Sequence, residues 1–247
     1  MYDLQDNFEI YDSYKLPLVR HFDKKAVRNA DIVFAVSNSL KNLVSKFRKK
    51  PIYVIQNGVD LGLFKKMDKK AARKNLALPL KGKIVIYVGE ISKLKGAHIM
   101  LDAFKIVRES IPNIHLLLCG KVQKGINIKQ PYIISKEFEN QKDVVAALNA
   151  SDVALIPNPK NSFSKYCFPC KALEYMAVSL PIVATDIGDM SILLKKYHGS
   201  LCKPNSKEDL AEKVIAKLRK DGKVDYSEEL EKLSWKALSK KVGGILT

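Results

Sequence analysis

The stretch "SFSKYCFPCKALEYMAVSLPIVATDIGD", Ser162 to Asp189, carries the pattern that decides the fold. Pro169 stands where a first helical turn tolerates a missing N–H. After it, Ala172, Leu173, Met176 and Ala177 recur at helical spacing as one apolar stripe. Pro181 stops that helix, and "IVAT" reads as a short buried strand. Upstream, the strand-like run "VALIP" ends at Pro157. The unit is therefore strand, loop, helix, strand, the crossover that sets two strands parallel. Its loop and helix N-terminus fall at the carboxyl ends of those strands, where open α/β sheets bind ligands. Lys171 and Glu174 stand one turn apart, off the apolar stripe, and a lysine at a helix N-terminus beside such a crevice suits phosphate. The same spacing also fits a solvated i,i+3 ion pair.

The alternation extends outward on both sides. From Lys83, "KIVIYVGE", "IHLLLCG", "PYIIS", "DVALIP", "IVAT" and "GSLCKP" read as strands between helical segments, an alternation of about six units. In the helix "AHIMLDAFKIVRES", Ile99, Met100, Ala103, Phe104 and Val107 form the inward set. The expected fold class is α/β, a doubly wound parallel sheet. Ser206 with Asp209 resembles a capping box for a helix reaching Arg219, and helices near Ser227 and Ser234 finish the chain. Towards the amino terminus, "YDLQDNF" reads as a strand end. Leu16 to Arg28 reads as a helix with Leu18, Phe22 and Ala26 inward. "ADIVFAVS" is a buried strand, and Ser37 caps the helix "NSLKNLVSKF". "PIYVIQ" is another strand, "NGVD" (Asn57 to Asp60) is a turn, and Lys65 to Leu76 is a lysine-rich helical connector.

The chain has 247 residues, 47% hydrophobic and 28% charged, which fits a soluble globular protein. No apolar run approaches the roughly 18 residues that span a bilayer. The start, "MYDLQDNFEIYD", lacks a basic-then-apolar leader, so a cytoplasmic location is the expectation. The formal charge is +17, and thirteen Lys/Arg against Asp60 and Asp68 give Lys41 to Lys83 a net +11. Nucleic acid, an anionic membrane surface and a solvated face are the three readings. Arginine occurs at only six positions, which weighs against a specific nucleic-acid reader, since such proteins lean on its bidentate contacts. Cys167 and Cys170 in "CFPC" are the one close thiol pair. A zinc site would need two more ligands at matched spacing, so these read as structural thiols.

Taken together, "YVGEISKLKG", "ASDVALIP" and "FPCKALEYMAVSLPIVATDIGD" resemble the carboxy-terminal half of a family 4 glycosyltransferase of the GT-B fold. "ADIVFAVSNSL" and "PIYVIQNGVDLGLF" are similar to the close of that family's amino-terminal domain and its linker, and the helix with Trp235 to the one that returns toward the first domain. The resemblance implies a nucleotide-sugar held between two Rossmann-like domains, as substrate and without a metal or other cofactor, and a retaining transfer of its glycosyl group to a glycan or lipid-linked acceptor. It places Lys95, before Gly96, on the diphosphate. Through "P-x-K-x-x-E-Y" it places Lys171 beside the phosphates and Glu174 on the ribose hydroxyls. Such a set suits the chemistry, because lysines and a helix N-terminus stabilise charge developing on a nucleoside diphosphate leaving group. It names no catalytic residue in this chain.

Two positions depart from the family pattern. Glu90 stands where an arginine is common, and Tyr166 stands where the leading acid of an E-x7-E pair would fall. The expected division is residues 1–64 as the remnant of an amino-terminal, acceptor-side domain with its linker, and 65–247 as the nucleotide-sugar-binding domain with its return helices. A family domain of that first kind takes on the order of 150 residues. The expectation is therefore a truncated domain, and a partner subunit or a homo-oligomer that covers the apolar surface left over. A non-catalytic nucleotide-binding or scaffold subunit is the alternative, favoured by Glu90 and Tyr166.

Overall fold

In the computed structural model, which describes residues 1–7, 12–220 and 222–246, the chain opens with a three-stranded parallel sheet. Its strands are β1 (Tyr2–Leu4), β2 (Val33–Ala35) and β3 (Ile52–Val54), in that order, with Leu4, Ala35 and Val54 in register. The crossovers are α1 (Pro17–Asn29) and α2 (Asn38–Val44). Ser37 caps α2 as expected, its hydroxyl accepting from Leu40 N at 3.0 Å. The lysine-rich connector forms only a short helix, α3 (Lys69–Asn75), whose N-cap is Asp68.

The second sheet is the doubly wound one. Its strands are β4 (Lys83–Val88), β5 (Ile114–Cys119), β6 (Ile133–Lys136), β7 (Val153–Ile156), β8 (Ile182–Thr185) and β9 (Leu201–Cys202). They lie in the order β6-β5-β4-β7-β8-β9, each pair parallel. The strand order reverses between β4 and β7, the arrangement of a dinucleotide-binding sheet with its crevice at that switch point. The remaining helices are α4 (Ala97–Ser110), α5 (Gln141–Ala150), α6 (Ser162–Tyr166), α7 (Cys170–Ala177), α8 (Asp189–Leu193), α9 (Lys207–Lys220), α10 (Ser227–Leu233) and α11 (Trp235–Leu246).

Both faces of this sheet are covered, so its central strands are apolar throughout rather than alternating. One face packs Val85, Leu116, Leu118, Val153 and Leu155 against α4 and α9 through Met100, Phe104, Leu210 and Val214. The other packs Ile84, Ile86, Leu117 and Ile156 against α5 and α7 through Leu148, Leu173 and Met176. The expected inward sets of α4 and α7 are all buried. The short helices α6 and α8 were not expected. Each is a single turn or so, too short for hydrophobic periodicity to register.

Helix α1 corrects the sequence reading. Leu18 and Phe22 are 70% and 61% exposed, and Ala26 is exposed as well. The face turned inward carries Val27, 1% exposed, and Asp23, whose carboxylate accepts from the Tyr2 and Tyr14 hydroxyls. Apolar spacing identifies residues that share a face; it does not say which face is covered. Two buried arginines also thin the expected basic surface. Arg48 donates to the carbonyls of Val27 and Ala30, each at 2.7 Å, closing the carboxyl end of α1. Arg73 donates to Ala150 O and pairs with the buried Asp152 carboxylate, both at 2.9 Å.

The two sheets are tied together by polar contacts that the sequence did not announce. Asp189, 2% exposed, accepts from Asn38 N at 2.8 Å, Asn38 Nδ2 at 3.0 Å and Ser39 N at 3.1 Å. A carboxylate from the large sheet thus satisfies amide groups at the start of α2. At the other side, Val59 N donates to Leu233 O at 3.1 Å and Lys241 Nζ to Val54 O at 2.8 Å, so α10 and α11 return to the first sheet. Asp189→Ala leaves three half-buried donors without this partner. Hydrogen bonds to a charged group contribute roughly 1.5–3 kcal/mol, so its unfolding midpoint is expected to fall by roughly 3–12 °C. Calorimetric melting checks this, and an unchanged midpoint would show that the clamp contributes nothing.

Candidate functional site

The carboxyl ends of β4 and β7 open on a crevice of about 300 Å³. Lys95, Asn158, Cys167, Phe168, Cys170 and Lys171 line one side, and Gln5, Asp6 and Asn57 face them from the first sheet and its linker. Lys95 ends a short 3-10 turn, Lys93–Lys95, just before α4. Lys171 is the second residue of α7. Two separate crossovers, one on each side of the switch point, therefore deliver a lysine each to one place.

The local backbone explains how they reach it. At Gly96 the chain takes φ +83°, and a Cβ there would lie 2.0 Å from Pro157 O. Only glycine lets the start of α4 close on the end of β7. Gly89, at φ +118°, follows β4 directly, and a Cβ there would lie 3.0 Å from Lys171 Nζ. The ammonium group thus occupies space that a side chain on the β4 turn would take.

Electrostatics separate the two lysines. Lys171 Nζ lies 4.5 Å from the ring centroid of Tyr87 and 3.4 Å from its hydroxyl. Burial, with the Lys95 charge as a second cause, pulls its pKa down from 10.5 to about 8. Lys95 instead pairs with Glu90, Nζ to Oε2 at 3.8 Å, so the residue that departs from the family pattern acts as a counter-ion to one of the crevice lysines. Glu174 follows one turn along α7, half-buried and, like Glu90, not among the side chains lining the crevice; burial raises its pKa and Lys171 opposes that rise. Tyr166 ends α6, its carbonyl accepting from the Ser37 hydroxyl at 2.5 Å, and it is not among the side chains lining the crevice.

Sequence reasoning missed the first-sheet contributors Gln5 and Asp6, and Asn158 after β7. Asn158 is 6% exposed, and its Oδ1 has no hydrogen-bond partner among the protein atoms. A buried acceptor left open in a crevice is a place for a ligand donor. Asn57 was visible only as part of a turn. Cys167 and Cys170 are both free thiols, and burial holds both above the ordinary thiol range, which does not suit a reactive thiolate. Among the described residues no group of three or more His, Cys, Asp or Glu side chains is placed to hold a metal ion.

Comparison with known proteins bears on the same region. Residues 68–237 match the family model described as "Glycosyl transferases group 1", and residues 3–63 match "Glycosyltransferase Family 4". The chain is 28% identical to the glycosyltransferase TuaC of Bacillus subtilis over 83% of this chain and 51% of that protein. It is 26% identical to a D-inositol 3-phosphate glycosyltransferase of Corynebacterium urealyticum over 72% of this chain and 46% of that protein. The chain thus spans about half the length of these curated relatives. Among solved structures, Anabaena Alr3699/HepE in complex with UDP-glucose superposes with a TM-score of 0.78 at 20% identity, over 99% of this chain and 71% of that one. That likeness establishes a shared fold.

Proposed function

We propose, on the premise that this chain belongs to the group 1 glycosyl transferases, that it binds a nucleotide-activated sugar in the crevice between β4 and β7. The glycosyl group then passes to a glycan or lipid-linked acceptor. The observation that carries this reading is the convergence of Lys95 and Lys171 at the switch point of the sheet. A diphosphate there meets two ammonium groups and the amino-terminal end of the fourteen-residue helix α4, whose dipole favours an anion. As the sugar–oxygen bond breaks, charge grows on the nucleoside diphosphate, and these groups stabilise it where it forms. Glu174 offers two oxygens to the vicinal hydroxyls of a ribose. The open Oδ1 of Asn158 accepts a further ligand hydroxyl. Complexes of Anabaena Alr3699/HepE with UDP and with UDP-glucose support a uridine nucleotide as the first donor to try.

The acceptor enters from the side of Gln5, Asp6 and Asn57. A lipid-linked acceptor fits the lysine-rich surface, which favours an anionic membrane face. Among the described residues no helix is long and apolar enough to cross a membrane. A second reading, a nucleotide-binding subunit that assembles with a partner enzyme, is favoured by the Glu90–Lys95 pair, which neutralises one of the two phosphate lysines.

Calorimetric titration with UDP-, GDP- and ADP-sugars tests the first reading, which fails if the folded protein binds none of the three. Glu174→Ala is expected to weaken donor binding by roughly 10- to 100-fold, the worth of hydrogen bonds to a charged acceptor. Transfer is lost with it. If the second reading holds, Glu174→Ala leaves assembly with the partner unchanged.

A further inference from the structure

We propose that Tyr87 is a positioning residue for Lys171, its phenol oxygen and ring face holding the ammonium group against the Gly89 turn at the floor of the crevice. The inference rests on the donor-binding reading above, with Lys171 as the phosphate ligand. Tyr87 is the penultimate residue of β4 and 1% exposed, and it is the one tyrosine among the fully buried members of its cluster, beside aliphatic side chains, Phe104, Met100 and Cys202. A phenylalanine would fill that volume equally well, so the hydroxyl needs an explanation. Its proton goes to Glu90 O at 3.0 Å. That leaves the oxygen lone pairs to accept from Lys171 Nζ at 3.4 Å, while the ring presents its negative face to the same ammonium group at 4.5 Å. Glu90 O and Gly89 belong to the turn that follows β4. The turn therefore orients the phenol, and the phenol orients the lysine that lies across it.

The need for such a support follows from what surrounds Lys171. Burial disfavours its charge, and so does Lys95 across the crevice. Glu174 on α7 lies on the favourable side, Asp6 faces the crevice from the first sheet, Glu90 is engaged with Lys95, and the thiols of Cys167 and Cys170 beside the α7 start are held neutral. The hydroxyl and ring of Tyr87 are neutral groups that favour the ammonium form without competing for the phosphate. An amine held in this way keeps its remaining N–H donors for a ligand.

The test compares wild type with Tyr87→Phe by titration with UDP-glucose from about pH 6.5 to 9, a range in which its diphosphate has no proton to lose. Wild-type affinity is expected to be level up to about pH 8 and to decline above it, as Lys171 deprotonates. Tyr87→Phe is expected to bind about three- to tenfold more weakly at pH 7, with its decline beginning at lower pH. In a Lys171→Met background the same substitution is expected to have no further effect, because its influence passes through the lysine. An independent readout is competitive acetylation of Lys171 with acetic anhydride, followed by peptide mass spectrometry. It reports the titration of that amine with no donor present, and the phenylalanine variant is expected to react at lower pH. A folded Tyr87→Phe protein with an unchanged Lys171 titration overturns the proposal. Absent UDP-glucose binding with a shifted titration overturns the uridine-donor reading and leaves the positioning role standing.

Discussion

Lys171→Met is expected to reduce affinity for UDP-glucose by roughly 10- to 100-fold while leaving the fold as stable as before or slightly more so. The two halves of that expectation come from one fact: the ammonium group is kept charged in a site with little water. A charge-assisted hydrogen bond to phosphate is worth roughly 1.5–3 kcal/mol, and methionine replaces the apolar stem of the lysine without its ammonium group. The empty protein bears the cost of burying that charge, which is why the pKa of Lys171 lies near 8 rather than 10.5. The sign of the pH dependence follows. The folded state holds this proton less tightly than the unfolded chain, so stability gains with rising pH between about 8 and 10.5 and carries a penalty below. Methionine removes that penalty. Donor binding runs the other way, because the anion needs the protonated lysine, so affinity falls as pH rises through about 8. Isothermal titration paired with thermal melting separates these effects. A variant that loses binding only because it unfolds more easily would sink the assignment of Lys171 to phosphate.

The parts of the molecule that were legible in the sequence share one property: their signal is local and repeated. Strand–helix alternation from Lys83 onward, the apolar stripes of α4 and α7, and the Ser37 cap are each set by neighbours in the chain. The structure puts Lys95 and Lys171 in one crevice because crossovers on either side of the switch point end there, a topological consequence of the alternation itself. What could not be read depends on distant partners. The burial direction of α1 was set by Asp23 engaging Tyr2 and Tyr14, and by Arg48 reaching back to the carboxyl end of the helix. Neither leaves a mark in the spacing of Leu18, Phe22 and Ala26. The clamp from Asp189 to Asn38 and Ser39 joins residues about 150 positions apart, and no periodicity reports such a contact. Glu90 shows the intermediate case. As a departure from the family pattern it was visible, though nothing in the sequence pointed to a partner for its charge. Its 3.8 Å pairing with Lys95 gives that charge a partner in the protein, a counter-ion that a donor would have to displace.

Gly96→Ala is expected to be the most damaging single methyl group that can be added near the site, and Gly125→Ala shows why by contrast. Both glycines sit at nearly the same left-handed φ, +83° and +87°. A Cβ at such an angle costs roughly 1–2 kcal/mol from its own backbone alone. At Gly125 nothing lies within 4 Å of the added atom, so that strain is the whole effect. At Gly96 the atom would stand 2.0 Å from Pro157 O and 2.9 Å from Pro157 C, main-chain atoms at the end of β7 that cannot swing away as a side chain would. The carbonyl or the start of α4 has to move, adding an overpacking penalty of roughly 1–3 kcal/mol. Movement there also displaces Lys95 from the crevice and Asn158 beside it. The Gly96 variant should therefore melt several degrees below the Gly125 variant, by roughly 2–4 °C for each additional kcal/mol, and should bind UDP-glucose less well even at temperatures where it is folded. Equal melting of the two variants would mean that the close approach of α4 to β7 is not what Gly96 provides. Lower stability with unimpaired binding would detach the position of Lys95 from that contact. Loss of both together ties the fold of the switch point directly to the site built on it.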